Sequence, residues 1–198
     1  MTRAPRTRRP AGARREQILD VAAAAFAVGG YRGTSLAEVA SRVGVSQPGL
    51  LHHFPTKDSL ILAVLRHRDL DDDRHLETHF ADATPTTRDW LTAMGRRNET
   101  QPELVRLFTV TAAEALAPEH PAHEFFLERN RRVRASMGAL VRRDQERGVL
   151  AADLDADQLA IELMALMNGL QLQWLRDPSV DMCGVLEARL DRLVAGER

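Results

Sequence analysis

The chain has 198 residues, 44% of them hydrophobic and 28% charged, which suits a globular fold and excludes a disordered one. A single cysteine, Cys183, excludes an internal disulfide and a multi-cysteine zinc site. No apolar run reaches the ~20 residues a bilayer requires, and the Arg-rich start has no apolar core behind it, so a soluble cytoplasmic protein is expected.

The net charge of −1 conceals an asymmetry. Residues 1–57 hold eight Arg and one Lys against Glu16, Asp20 and Glu38, a net +6; the remainder holds 18 basic and 25 acidic residues, a net −7. A basic N-terminal third beside an acidic body predicts a polyanion-binding module joined to a part that avoids the polyanion. Residues 1–12, with Arg3, Arg6, Arg8 and Arg9 between Pro5, Pro10 and Gly12, read as a flexible arm. Such an arm can reach phosphates or a minor groove.

Residues 13–28 read as the first helix, with Ile18, Leu19, Ala22, Ala25 and Phe26 on its apolar face and Gly29-Gly30 as its stop. Ser35 and Glu38 then form a capping-box pattern. Leu36, Val39, Ala40 and Val43 supply the stripe of a two-turn helix. Gly44 permits a sharp turn. Ser46 opens a second short helix, residues 47–53, with Pro48 in its first turn. Two short helices joined through a Gly turn make a helix-turn-helix, whose second helix enters the DNA major groove. Ile18, Phe26, Leu36, Val39, Val43, Leu50 and Phe54 are its expected core. Thr56 caps a long helix over residues 57–80, which at 1.5 Å per residue spans roughly 36 Å. Its first half is amphipathic and its second half, DLDDDRHLETHF, reads as a solvated face.

The stretch GYRGTSLAEVASRVGVSQPGLLHHFPTKDSL, with the helix before it, resembles the DNA-binding domain of the tetracycline-repressor (TetR) family. Gly30, Thr34-Ser35, Ala40, Gly44-Val45-Ser46, Leu50, His53-Phe54 and Lys57 carry the likeness. The resemblance implies an all-α protein of about nine helices, dimeric, with a ligand cavity in the body. It divides the chain into the arm 1–12, a helix-turn-helix domain 13–58 and a helical effector-binding and dimerisation domain 59–198. Leu51 stands where the family often has a Tyr on the DNA backbone, and Gly49 where Thr or Ser is frequent, so no phosphate bond is assigned to Leu51.

The body reads as helices over residues 87–98, 102–116 and 120–147, punctuated by Pro85, Pro102, Pro118 and Pro121. Asp155 opens a helix to residue 177 that is apolar nearly all round and is expected to be buried on most faces. Residues 182–195 form the last helix. By the resemblance, helices 155–177 and 182–195 build the homodimer interface.

For DNA, Gln47 can bond an adenine edge, and Pro48-Gly49 permit backbone or apolar contact with a thymine methyl. Thr34, Ser35, Ser46, His52 and Lys57 suit phosphates, although Thr34, Ser35 and Ser46 would cap helices regardless. For an effector, Asn168 and Gln171 are amides one turn apart in the most apolar helix, near Met164, Met167 and Trp174. They bond a ligand, each other or another helix across the dimer interface. Glu114, Phe108, Thr111, Asn130, Met137, Trp90 and Met94 are candidates for the same cavity, or plain core. Asp71, His75 and His79 share one helical stripe, but in so charged a segment no metal site is assigned. No Gly-rich phosphate loop, GxSxG elbow or activated cysteine supports an enzyme.

The expected protein is a DNA-binding transcriptional regulator, a dimeric repressor released from a palindromic operator by an unidentified small-molecule effector, with no other cofactor. The alternatives are an activator or ligand-independent regulator on the same head, and a DNA-binding scaffold that recruits a protein partner.

Overall fold

The computed structural model describes residues 11–194, and among these the regular structure is nine α-helices with no strand. Most of the expected arm, residues 1–10, lies outside the described residues. In chain order the helices are α1 (Ala11–Gly33), α2 (Leu36–Val43), α3 (Gln47–His53), α4 (Lys57–His79), α5 (Thr87–Glu99), α6 (Pro102–Glu114), α7 (His123–Glu146), α8 (Ala156–Arg176) and α9 (Met182–Val194).

The starts of α2, α3, α4, α5 and α8 follow from their caps. Ser35, Ser46, Thr56 and Thr86 are extended and accept from the backbone N–H three residues on, while Asp155 accepts from Asp157 and Gln158. Reciprocal capping boxes occur at Thr56/Ser59 and Thr86/Asp89. At Ser35 the reciprocal half is missing, because the Glu38 carboxylate turns to Arg42 one turn on, at 2.6 Å. α7 begins three residues later than its sequence pattern suggests. His120-Pro121-Ala122 folds as a turn instead, with His120 Nδ1 accepting from the Ala122 N–H at 3.1 Å.

Two apolar cores result. The first joins Ile18, Leu19, Ala22 and Phe26 of α1, Val39, Ala40 and Val43 of α2, Leu50 and Phe54, and Leu60, Ile61, Val64 and Leu65 of α4. It continues into Leu107 and Ala115, then Ala122 and Phe126, so α6 packs directly on α1 and the start of α7 joins the same core. The second gathers Leu91, Met137, Val141, Leu163, Met182 and Leu186 from α5, α7, α8 and α9. Of the expected head core, all are buried except Leu36, which is half-buried.

The second half of α4 is solvated on one side only, and a charged stripe of it is buried. Arg68, Asp69 and Asp72 are buried. Arg68 Nε meets Asp72 at 2.9 Å, and Arg97 of α5 meets Asp72 at 2.7 Å and also pairs with Asp71. Arg129 of α7 meets Asp69 at 2.7 Å, with Arg132 on its other oxygen. Asn98 and Gln101 complete the Arg68 guanidinium. Charge that the sequence alone assigns to water is spent here on attaching α4 to α5 and α7. Burial pulls the Arg68 guanidinium below its usual range, and Asp72 opposes that pull.

α8 also departs from expectation. Leu159, Ala160, Leu163, Met167 and Leu170 are buried, but Ile161 is 50% exposed and Leu172 39%. One apolar face of this helix therefore lies open in the single chain.

Candidate DNA-binding site

α3 is only seven residues long, so its direction is set by its ends. Ser46 Oγ accepts from the Gly49 N–H at 3.2 Å at one end, and Leu50 and Phe54 anchor the other in the first core. Gly44, at φ +74°, makes the turn that sets α3 across α2. Gln47, Pro48 and His52 project into solvent from this small platform, and Ser35 and Ser46 are exposed beside them. A Cβ on Gly49 would lie 3.2 Å from Ser46 Oγ, so a Thr or Ser there would crowd the cap. Leu51 is half-buried.

Two of the expected phosphate-binding residues have partners within the fold. Thr34 is 3% exposed, and its hydroxyl lies 2.9 Å from the Gly30 carbonyl and 3.1 Å from that of Ala25, closing the end of α1. Lys57 is half-buried; its Nζ donates to the Arg32 carbonyl at 3.3 Å and sits 4.5 Å from the centre of the Tyr31 ring. Arg15 lies over the Phe54 ring in the same way, at 5.2 Å.

Tyr31 lies in the short connector that leads from the Gly30 kink to α2 and gathers several partners there. Besides Lys57, its ring meets the edge of His120 at 4.9 Å, and its hydroxyl donates to Asp58. Burial and the Asp58 carboxylate push the phenol up to about 12, so it stays protonated and donating. The Tyr31 backbone N–H donates to Glu114 of α6 at 2.8 Å. The composition of the connector gives no sign of this, because every partner but Lys57 and Asp58 lies more than 80 residues away.

The effector candidates do not surround one cavity. Trp90, Met94 and Met137 belong to the second core or pack against it. Phe108 packs on the first, where it meets Phe125 and Phe126 edge-on and carries Arg129 over its face. Thr111 is fully buried, Met164 is half-buried, and Asn130 is exposed. Glu114 faces the head rather than the body's interior. Asn168 is exposed and Gln171 half-buried, so the expected pair of buried amides is absent in the single chain, where the outer side of α8 is uncovered.

A groove of about 530 Å³ lies between the end of α4 and α5. His75, His79 and Phe80 form one wall, and Arg88, Thr92, Arg96 and Arg97 the other. His75 and His79 stack with ring centres 6.1 Å apart, while Asp71 on the same stripe is taken by Arg97. Among the described residues no group of three or more His, Cys, Asp or Glu is placed to hold a metal. Cys183 is buried, and burial with Glu99 beside it pushes its thiol up to about 12, an inert state. No described helix is long and apolar enough to cross a membrane.

Known proteins point the same way. The model of bacterial regulatory proteins of the tetR family matches residues 18–64, and a model described as the C-terminal part of BetI-type transcriptional repressors matches residues 85–197. The HTH-type transcriptional regulator RutR of Escherichia coli (strain K12) is 41% identical over 58 residues, 29% of this chain and 27% of that protein, so this likeness spans only about a quarter of the relative. The HTH-type transcriptional regulator TtgR of Pseudomonas putida is 27% identical over 94% of this chain and 92% of its own. A TetR transcriptional regulator from Chloroflexus aurantiacus J-10-FL superposes with a TM-score of 0.79 at 24% identity, covering 94% of this chain and 96% of that one. A transcriptional regulator from Saccharomonospora viridis, solved in complex with choline, does so at 0.78 and 22%, covering 93% and 96%. With its two-helix reader exposed on a capped platform and its body matched over more than half of the chain, this protein belongs to the TetR family of DNA-binding transcriptional regulators, which are not enzymes.

Proposed function

We propose that the chain acts as a homodimeric repressor that leaves a near-palindromic operator when a small molecule binds its body. The observation that carries the reading is the exposure of Gln47, Pro48 and His52 at the start of α3, on a platform held from below by Val39, Ala40, Val43, Leu50 and Phe54 in the first core. Gln47 reads a base edge, while Ser35, Ser46 and the Gly49 backbone meet phosphates or the groove floor. Lys57 contributes charge from the edge, and Thr34 acts through the fold. Residues 1–12 add the cations Arg3, Arg6, Arg8 and Arg9, residues 13–58 form the head, and residues 59–198 bind effector and partner.

The open apolar side of α8 and α9 supports the dimer. Ile161, Leu172, Val185 and Val194 are between 39% and 50% exposed on the two helices. A second copy packed there would cover them and the Asn168 amide, and would give the two heads the two-fold symmetry of a palindrome. The ion-paired attachment of α4 to α5 and α7 supports the release step. A ligand that favours one arrangement of these helices changes where α4 holds the head, and lowers DNA affinity only as far as it prefers that arrangement. The groove beside His75 and Arg97 borders this attachment directly.

The test is protection of DNA upstream of the gene, across a salt series, beside a scrambled duplex of equal length, with the protein's mass in solution measured in parallel. A two-fold-symmetric footprint from a dimer meets the proposal. A monomeric mass together with a one-sided footprint would overturn it.

A further inference from the structure

We propose that Glu114 is a positioning residue for DNA binding: from α6, its carboxylate holds the backbone at the Gly30 kink and fixes how the α2–α3 pair is carried on the body. The argument starts at the kink. Gly30 has φ +63° and ψ −176°, a region open essentially to glycine alone, so the α-helical course of α1 is broken there whatever packs around it. The break turns the Tyr31 N–H away from the acceptor a continuous helix would offer. A half-buried donor left in that state is costly.

Its acceptor comes from 83 residues away, Glu114 Oε2 at 2.8 Å. The fit is close. A Cβ added at residue 30 would lie 2.4 Å from Glu114 Oε1, so the bare glycine is also what lets the carboxylate approach. His120 closes the other side, with its ring edge on Tyr31 and its Nε2 4.0 Å from Glu114. From this anchored peptide only a few residues lead to the reader. Thr34 ties the connector back to the Gly30 carbonyl, Ser35 caps α2, and α2 carries α3 through the Gly44 turn.

α1 and α6 also pack through apolar side chains, a contact that is non-directional and leaves small adjustments of angle open. A charge-assisted hydrogen bond to one backbone atom removes that freedom. Glu114 therefore sets the angle at which Gln47 is presented without touching DNA itself.

The experiment compares the full chain with Glu114→Gln and Glu114→Ala. The probe is a duplex selected from a random library by the wild-type protein, and hydrogen exchange of the Tyr31 amide is followed alongside. Gln keeps an oxygen that accepts the same bond, so it should bind within about threefold of wild type and keep the amide protected. Ala should bind roughly tenfold more weakly and expose the Tyr31 amide, with helical content unchanged. Should Ala fail to fold, Glu114→Asp, one methylene short of Tyr31, replaces it with the same expectation. Wild-type affinity in the Ala variant, or a protected Tyr31 amide in it, would overturn the assignment. So would a Gln variant as weak as Ala, since it would make charge rather than the hydrogen bond responsible.

Discussion

Arg97 Nε of α5 donates to Asp72 Oδ1 of α4 at 2.7 Å, with both side chains about nine-tenths buried. The other Asp72 oxygen takes Arg68 at 2.9 Å, so one carboxylate serves two guanidinium groups between two helices. This helix pair shares little apolar contact, and the charges therefore decide how the second half of α4 meets α5.

Removing that carboxylate leaves buried positive charge short of a partner. Asp72→Ala should cost about 3 kcal/mol, the usual penalty for breaking a buried pair from one side. It should appear as a lower urea midpoint with an unchanged slope. A loss under about 0.5 kcal/mol, typical of an exposed pair, would mean that water already serves these groups.

Ser46 has two tasks that substitution can separate. Ser46→Ala removes the cap of a seven-residue helix and should cost about 1 kcal/mol in thermal or urea unfolding. Ser46→Asp keeps a good capping oxygen but sets a negative charge on the face offered to DNA. Its stability should stay near wild type while its DNA affinity falls at least about tenfold. Undiminished DNA binding by the Asp variant would take Ser46 off the DNA face.

Gln47 and Lys57 should fail in different ways. Gln47 is exposed and its side chain bonds to nothing among the described residues, so Gln47→Ala should leave stability unchanged and cost about 1–3 kcal/mol of preference for the specific duplex. Lys57 spans the Arg32 carbonyl and the Tyr31 ring. Lys57→Ala should weaken specific and non-specific binding alike and lower stability by roughly 0.5–1 kcal/mol. Equal loss on both duplexes for Gln47→Ala would remove it as a reader.

The legible parts of the sequence were those governed by local rules. Ser46, Thr56 and Asp155 announce their helices by cap chemistry alone, and the spacing of Val39, Ala40 and Val43 fixes the buried face of α2. The likeness carried by Gly30, Gly44 and Phe54 was sufficient for the family and the fold. What local rules miss is pairing at a distance. Asp69 and Asp72 look solvated in sequence because Arg129 and Arg97 are far along the chain. Glu114 looks like a polar group stranded in an apolar helix, which suggested a ligand. Its partner is a backbone N–H, and a backbone N–H has no letter in the sequence. Asn168 is exposed because α8, apolar enough for burial, keeps an outer side that no described residue of the single chain covers, the side the sequence also allows to a partner helix.

His120 gives the junction between head and body a dependence on pH. Burial lowers its pKa from the ordinary 6.5, against the pull of Glu114 and Asp58 and with the help of Arg32. Its Nδ1 accepts from Ala122, so protonation there would set two donors against each other at the turn before α7. The folded state thus favours the neutral ring, and the unfolded state binds more protons below pH 6.5. Stability should therefore fall as the pH drops from about 6.5 toward the lowered folded value, and be unaffected by His120 above it. The His75 ring, also lowered, chiefly by burial, adds to the slope in the same sense. His120→Asn separates the two, because the Asn oxygen can accept from the N–H two residues on without titrating. Unfolding free energies of that variant between pH 7 and pH 5 should decline less steeply than those of wild type. Parallel declines would place the proton uptake elsewhere, with His75 the next residue to replace.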